Sequence, residues 1–396
     1  MKARGTQGDW RHWTVAVTGI NARPENPGPG CAVARCLTEA DGFRGRVIGL
    51  GYETLDAGLY HPDDCDGGYL LPFPSGGAEA LLERLNEVLG QDRIDAIIPC
   101  LDAELPNFIA LRSTMAKHGV RMCLPGRAQL RSRDKDRLPA LCARSGVATP
   151  RVRAISSARF FEHCANEEQG EEEGAWTYPL VVKGVFYDAY VVRDAAEAAY
   201  RFEQIARAWG YPVLVQAHVA GEEVNLTALG DGSGALIGPV MMRKQALTEK
   251  GKAWAGVAID DGELLAVGER LMHALKWNGP LELELLRDAA GTLHLIEINP
   301  RFPAWVYLSH AVGRNLPAAL LALLHGVAPA ALPLAALRPG VTFIRHAREI
   351  IVPMADIAAV SMTGATPPRG LPPAPGARLS QHLTRRRNQE HHHAHQ

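Results

Sequence analysis

The segment Leu295-Ile-Glu297-Ile-Asn299-Pro300-Arg301 carries the sharpest chemistry in the chain. Side chains on a strand repeat every two residues, so a strand ending here sets the Glu297 carboxylate and the Asn299 amide on one face. Thirteen residues before Glu297 stands Glu284, on the preceding apolar run. The runs 281–287 and Thr292 to Ile298 are joined by Asp288-Ala-Ala-Gly291, which reads as a hairpin loop. Two carboxylates and one amide oxygen meeting from adjacent antiparallel strands form a hard oxygen set. Magnesium favours such sets, with waters and substrate phosphates completing the octahedron. Arg301, just past the strand end, adds a planar fork suited to phosphate or carboxylate. The same spacing also describes a solvated hairpin with merely exposed acids.

The elements that must position these groups fall into different layers. Thr14 to Gly19 reads as a buried parallel strand, followed by a Pro/Gly-rich loop from Asn21 to Gly30 and a helix over Cys31 to Ala40. Strands at Arg46 to Leu50, Asp95 to Pro99 and Arg121 to Pro125 alternate with helices at Ala78 to Leu89 and Leu105 to His118. That alternation predicts a doubly wound α/β layer over about 14–130. Asp102 and Glu104 follow a strand end, where open sheets present ligands; they could hold an amine or cap the next helix. A second unit begins near Arg131, where Asp134-Lys135-Asp136 opens a helix running toward Ser145. A strand at Pro179 to Lys183, a helix at Glu197 to Trp209 and a strand at Pro212 to Val219 follow. From Glu223 the pattern is strand-rich (223–229, 235–242, 281–287 and 292–298), with a helix at Leu264 to Lys276, so the middle of the chain is α+β.

Composition narrows the function classes. With 42 Lys plus Arg against 43 Asp plus Glu, the net charge of −1 gives no bulk attraction to nucleic acid or anionic membrane. Hydrophobic residues at 47% and charged residues at 21% exclude a mostly disordered chain. Leu316 to Leu337 is apolar, but Pro317, Gly326, Pro329 and Pro333 interrupt it, which predicts a buried helix over about 317–325 rather than a membrane span. Met1 to Trp13 is polar and lacks an apolar signal core, so the expected location is cytoplasmic. The seven cysteines form no C-x-x-C pair and read as buried thiols of a reducing compartment. After about 340 the chain turns Pro/Gly-rich and basic, with Arg385-Arg386-Arg387 and histidines 391–393 and 395, a composition that predicts a partly disordered tail. The loop 19–30 does not match G-x-G-x-x-G, and no G-x-x-x-x-G-K-[ST] occurs, which excludes a P-loop.

Taken in order, these motifs resemble the ATP-grasp superfamily over about 14–326, and the Asn299-Pro-Arg-Phe302 form is most similar to its carbamoyl-phosphate-synthase-like branch. The resemblance implies an N-terminal doubly wound pre-ATP-grasp domain (1–130), α/β in class. A two-lobed α+β ATP-grasp fold would follow: a small lobe (131–220), a large lobe with the metal site (221–340), and a basic tail (341–396) outside the clamp. It also implies roles. Lys135 and Lys183 would contact the ATP phosphates. The backbone of the strand holding Gln216, Ala217 and Val219 would bind the adenine edge, and Glu223 the ribose. Arg243 and Lys244 would face the terminal phosphates. Glu284, Glu297 and Asn299 would hold the metal, and Arg301 the phosphate and substrate. Asn21 and Gly28 to Gly30 would face the acceptor cleft.

The implied cofactors are ATP and Mg²⁺, with Mn²⁺ as a substitute. A triphosphate carries about four negative charges, and lysines, arginines and magnesium must offset them during transfer. The implied activity is a ligase that joins a small-molecule or peptide carboxylate, through an acylphosphate, to an amine. No nucleic acid or membrane is involved, and a homodimer is the expectation from the usual symmetry of soluble enzymes. A bicarbonate-activating carboxylase or carbamoyl-phosphate-type enzyme stays as an alternative. So does a non-catalytic ATP-binding protein. Its support is the run Lys183-Gly184-Val-Phe-Tyr-Asp-Ala-Tyr190, which keeps one glycine where relatives have a Gly/Ser-rich phosphate loop and sets Phe186, Tyr187 and Tyr190 at the turn. With so short a loop, either phosphate contacts come from elsewhere, such as Lys250 or Lys252 in the Glu249-Lys-Gly-Lys252 turn, or activity is weakened.

Overall fold

A computed structural model describes residues 9–164, 175–185, 188–249 and 251–368. Residues 165–174, within the acidic, glycine-containing run from Glu162 to Gly174 that reads as a solvated loop, lie outside the described residues, as do Phe186, Tyr187, Lys250 and the Arg/His-rich end.

The first layer holds β1 (Thr14–Thr18), α1 (Pro29–Thr38), β2 (Arg46–Gly51), β3 (Gly67–Leu70), α2 (Gly77–Gln91), β4 (Ala96–Ile98) and α3 (Leu105–Lys117). Its sheet is parallel in the order β3-β2-β1-β4. β1 is buried over nearly its whole length, as a central parallel strand covered on both faces must be. Arg121 makes only a single parallel bridge to Ala96, so the strand expected at 121–125 reduces to one contact. Two short helices follow, α4 (Arg127–Ser132) and α5 (Leu138–Ser145). Lys135 therefore lies in the turn between them and not inside a helix: Arg137 N and Leu138 N both donate to the Asp134 carbonyl, at 2.8 and 2.9 Å.

The second layer contains β5 (Val152–Ile155), β6 (Leu180–Lys183), β7 (Ala189–Val192), α6 (Ala195–Trp209) and β8 (Val213–Ala217). Its sheet is antiparallel in the order β5-β8-β6-β7. The third comprises β9 (Glu222–Asp231), β10 (Ile237–Leu247), β11 (Ala253–Ile259), α7 (Gly262–Leu275), β12 (Asn278–Arg287), β13 (Leu293–Asn299), α8 (Tyr307–Ala311), α9 (Leu316–His325), β14 (Thr342–Ile344) and α10 (Met354–Thr363). Six of its strands form one antiparallel sheet, β13-β12-β9-β10-β11-β14. No helix of the described residues is long and apolar enough to cross a membrane.

The six-stranded sheet has two chemically different faces, and the alternation Leu281-Glu-Leu-Glu-Leu285 writes them into the sequence. Leu281, Leu283 and Leu285 pack with Val224, Leu226 and Ala228 against Leu264, Leu271 and Met272 of α7. Glu282, Glu284, Asn225 and Thr227 take the opposite face. A slip of one residue would exchange the two sets, so burial of the leucines fixes the register of the acids.

The segment after 340 is ordered as far as it is described, which corrects the expectation of a tail outside the clamp. β14 pairs with β11, and α10 seats Val360 against Ile20 and Leu59. Leu70 N donates to the Gly364 carbonyl (2.8 Å) and Thr366 N to the Gly68 carbonyl (2.9 Å), so the chain returns to the edge of the first sheet. The apolar residues of 342–360 drive this docking, while the prolines and glycines are concentrated beyond Thr363. None of the seven cysteines forms a disulfide, and burial pushes the Cys31 thiol up to about 12.

Candidate active site

The hairpin β12–β13 sets Glu284 directly opposite Glu297, and Glu282 opposite Asn299. A register irregularity just after Glu284 shifts the pairing, so Leu285 faces Leu295. Asn299 Nδ2 donates to Glu284 Oε1 at 2.7 Å and to Glu282 Oε2 at 2.9 Å. With its NH₂ spent on two carboxylates, the amide turns its oxygen away from them, where it accepts from Arg301 Nη2 at 3.3 Å. Lys244, on β10, reaches the same face with a side chain 6% exposed; its Nζ lies 3.2 Å from Glu284 Oε2 and also bonds Glu223 Oε2. Burial would raise the Glu284 carboxyl, but the charges of Lys244 and Lys252, with hydrogen bonds from Lys244 and Asn299, hold it down to about 2. Glu284 is therefore an anion throughout the physiological range.

From the second layer, Lys183 closes on this hairpin. The side chain is buried at the end of β6, where its Nζ donates to Gln216 Oε1. Burial, and then the charge of Lys135, lowers the ammonium to about 8, while Glu297 pulls the other way. Lys135 Nζ itself stands 3.9 Å from Glu297 Oε1. Two lysines far apart in sequence thus converge on one carboxylate of the hairpin. The turn after Lys183 is tied by Gly184 N to the Asp188 carbonyl (3.0 Å) and by Trp209 Nε1 to Asp188 Oδ2 (2.7 Å).

The first layer contributes Asp102, just past β4. Arg301 Nε donates to Asp102 Oδ1 at 3.0 Å, and Arg133 Nη1 pairs with Asp102 Oδ2 at 3.2 Å. Arg301 also places Nη2 3.3 Å from Asn299 Oδ1 and Nη1 3.7 Å from Glu282 Oε2. Glu104, by contrast, is internal: it accepts from Thr18 Oγ1, Tyr52 OH, Cys100 N (2.8 Å) and Leu101 N (2.9 Å). The loop before α1 touches the β10–β11 hairpin through Thr248 Oγ1 and the Glu25 carbonyl (3.3 Å). Asn21 does not present its amide oxygen to a cleft; Oδ1 accepts from Gly28 N at 3.0 Å and shapes the loop itself.

Seven of the expected residues therefore cluster: Lys135, Lys183, Lys244, Glu284, Glu297, Asn299 and Arg301. Glu223 joins them through Lys244. Arg243 does not. Neighbours on a strand alternate, so it leaves by the opposite face and pairs with Glu222 at 3.5 Å in an exposed position. On β8, Gln216 is committed to Lys183, and the Ala217 N–H donates to the Arg151 carbonyl at 2.9 Å, so this N–H is not available to an adenine edge. Val219 lies beyond the end of that strand.

Sequence reasoning missed Glu282, Asn225, Trp305 and Arg345. The first was legible in the Leu-Glu-Leu-Glu alternation. Arg345 was not, because only the pairing of β14 with β11 brings it alongside Ala253, whose carbonyl accepts from its Nε (2.9 Å).

Among the described residues no three His, Cys, Asp or Glu side chains form a metal-holding group. The set here is mixed: the ionised Glu284, Glu297 and the Asn299 amide oxygen. Three oxygen donors, at least one of them a fixed anion, fit a hard divalent cation.

A family model described as "ATP-grasp in the biosynthetic pathway with Ter operon" matches residues 211–342. The large chain of carbamoyl phosphate synthase from Clostridium beijerinckii is 24% identical over 193 residues, 46% of this chain. The match spans only 17% of that relative's length. Among solved structures, the biotin carboxylase β-γ-ATP complex from Campylobacter jejuni superposes with a TM-score of 0.61 at 17% identity, covering 82% of this chain and 74% of the other. The L-amino acid ligase of Bacillus licheniformis gives 0.55 at 16% identity, covering 81% and 78%. Residues 211–342 thus match an ATP-grasp family model, and the chain as a whole has the fold of these ATP-grasp structures.

Proposed function

We propose that this protein is an ATP- and Mg²⁺-dependent ligase that joins a carboxylate to an amine. The observation that carries the reading is the meeting of Lys135, from the turn between α4 and α5, and Lys183, from the second layer, with Glu297, Glu284, Asn299 and Arg301 of the third. Cations from one side and oxygen ligands from the other are what a triphosphate with its metal requires.

In this reading Lys135 and Lys183 hold the phosphates, Glu223 takes the ribose hydroxyls, and backbone groups along Gln216 to Val219 other than the Ala217 N–H take the adenine edge. Glu284, Glu297 and Asn299 hold Mg²⁺, or Mn²⁺ in its place, which when bound offsets charge on the transferring phosphoryl oxygens. A substrate carboxylate oxygen forms a bond to the γ-phosphorus as the bond from that phosphorus to the β,γ-bridging oxygen breaks, releasing ADP. The amine nitrogen then bonds the acyl carbon. The acyl C–O bond to phosphate breaks, phosphate leaves, and the nitrogen's proton passes to solvent. Arg301 supplies the fork for the acylphosphate, and Lys244 offsets charge beside Glu284. Arg243 is left out, because its face of the strand is not the face of the cluster.

The test is ADP release from the full chain with Mg²⁺-ATP over a matrix of carboxylates and amines. Release that requires one acid and one amine together supports the ligase. Release with bicarbonate alone would favour the carboxylase alternative. Tight ATP binding with no release under any condition would leave a nucleotide-binding protein.

A further inference from the structure

Glu282 is absent from the expected ligand set, yet it is the most heavily partnered acid of the cluster. The side chain is buried, 4% exposed. Oε1 accepts from Asn225 Nδ2 at 2.8 Å and Trp305 Nε1 at 2.6 Å, and Oε2 accepts from Asn299 Nδ2 at 2.9 Å with Arg301 Nη1 at 3.7 Å. With its oxygens turned to these four donors, it is poorly disposed to be a metal ligand itself. An amide can sit in either of two orientations that differ only in exchanging its oxygen and nitrogen, and the hydrogen-bond network decides between them. At Asn299 the flipped form would press Oδ1 against Glu282 Oε2 and Glu284 Oε1, oxygen against carboxylate oxygen. The observed form satisfies both acids and turns Oδ1 away from them, toward Arg301 Nη2.

We propose that Glu282 is a positioning residue that locks the Asn299 amide with its oxygen turned away from both acids, so that a divalent cation finds its third oxygen ligand already set. The inference rests on the ligase reading, since it concerns the same metal. Partners that orient a metal ligand typically change metal affinity by about 10–100-fold when removed.

The experiment is Mn²⁺ binding to the full chain in the presence of ADP, followed by the loss of the free Mn²⁺ electron paramagnetic resonance signal, so that no turnover is needed. Glu282→Gln replaces one acceptor oxygen by an NH₂ that must face a donor, either Asn299 Nδ2 or the pair Asn225 Nδ2 and Trp305 Nε1, and it should weaken Mn²⁺ binding about tenfold or more. The control is Thr227→Val, on the same sheet face, which removes a buried hydrogen bond to the Leu281 carbonyl (2.9 Å) and does not touch Asn299. It should lower stability and leave Mn²⁺ affinity unchanged. If Glu282→Gln does not fold, Glu282→Asp, one methylene too short to reach all its donors, is judged by the same criterion. Equal Mn²⁺ affinity in the Glu282 variant and wild type overturns the inference alone, as does equal weakening by Thr227→Val. A wild-type chain that binds no Mn²⁺ with ADP overturns the ligase reading as well.

Discussion

Lys183 is a cation in a place that resists charge. Its ammonium sits lowered from 10.5 to about 8, because burial and Lys135 outweigh Glu297. Between those two values the unfolded chain binds more protons than the folded one, so this residue's penalty shrinks and stability rises as pH climbs from about 8 toward 10.5. A bound triphosphate favours the charged form and raises the value again. ATP binding should therefore take up a proton near pH 8 and weaken as the pH rises above it. Calorimetry in buffers of different ionisation heat measures that uptake, and Lys183→Met should abolish it. Uptake that persists in the variant would assign the proton elsewhere.

The pair Arg243 and Lys244 gives a second contrast, since adjacent positions differ only in the face they take. Lys244→Ala leaves Glu284 without its ion pair and should cost about 3 kcal/mol of stability. It should also cut turnover at least ~tenfold, the equivalent of 1.4 kcal/mol in the barrier. Arg243→Ala removes an exposed pair and should change either by little, within ~0.5 kcal/mol. Thermal unfolding and steady-state rates on both variants decide it; comparable losses would mean that Arg243 reaches the site.

At the scale of elements, the first layer depends on how closely α1 approaches β1. A Cβ on Gly30 would fall 2.0 Å from the Thr18 carbonyl oxygen and 2.6 Å from the Gly19 carbonyl carbon. These are backbone atoms that cannot rotate away. Gly30→Ala should destabilise the chain by about 1–3 kcal/mol through this overpacking, read from denaturant midpoints. An unchanged midpoint would mean that the helix can lift without cost. The elements themselves were largely legible: apolar runs gave the parallel first layer, and the hairpin loop at 288–291 placed Glu284 across from Glu297. What was not legible is which side of a strand faces the cluster. Arg243-Lys244 reads as one basic position until the pairing of β10 with β9 separates the two. The docking of 342–366 was hidden for a similar reason: β14 is three residues long and gains its meaning only from β11.

For the whole molecule, the three layers share one problem, which is to bring like charges together. The solution visible here is pairing across layers: Asp102 of the first with Arg301 of the third and Arg133 between, and Lys135 of the turn before α5 with Glu297. The segment from β14 to Thr366 then ties the third layer back to the first. In the ligase reading the order of bond making is open to direct measurement. The most direct test uses the acid and amine found by the ADP screen, with ¹⁸O in the carboxylate. Transfer of one ¹⁸O into inorganic phosphate, dependent on ATP and amine, is the result predicted for an acylphosphate route. Product formation with no ¹⁸O in the phosphate would contradict it.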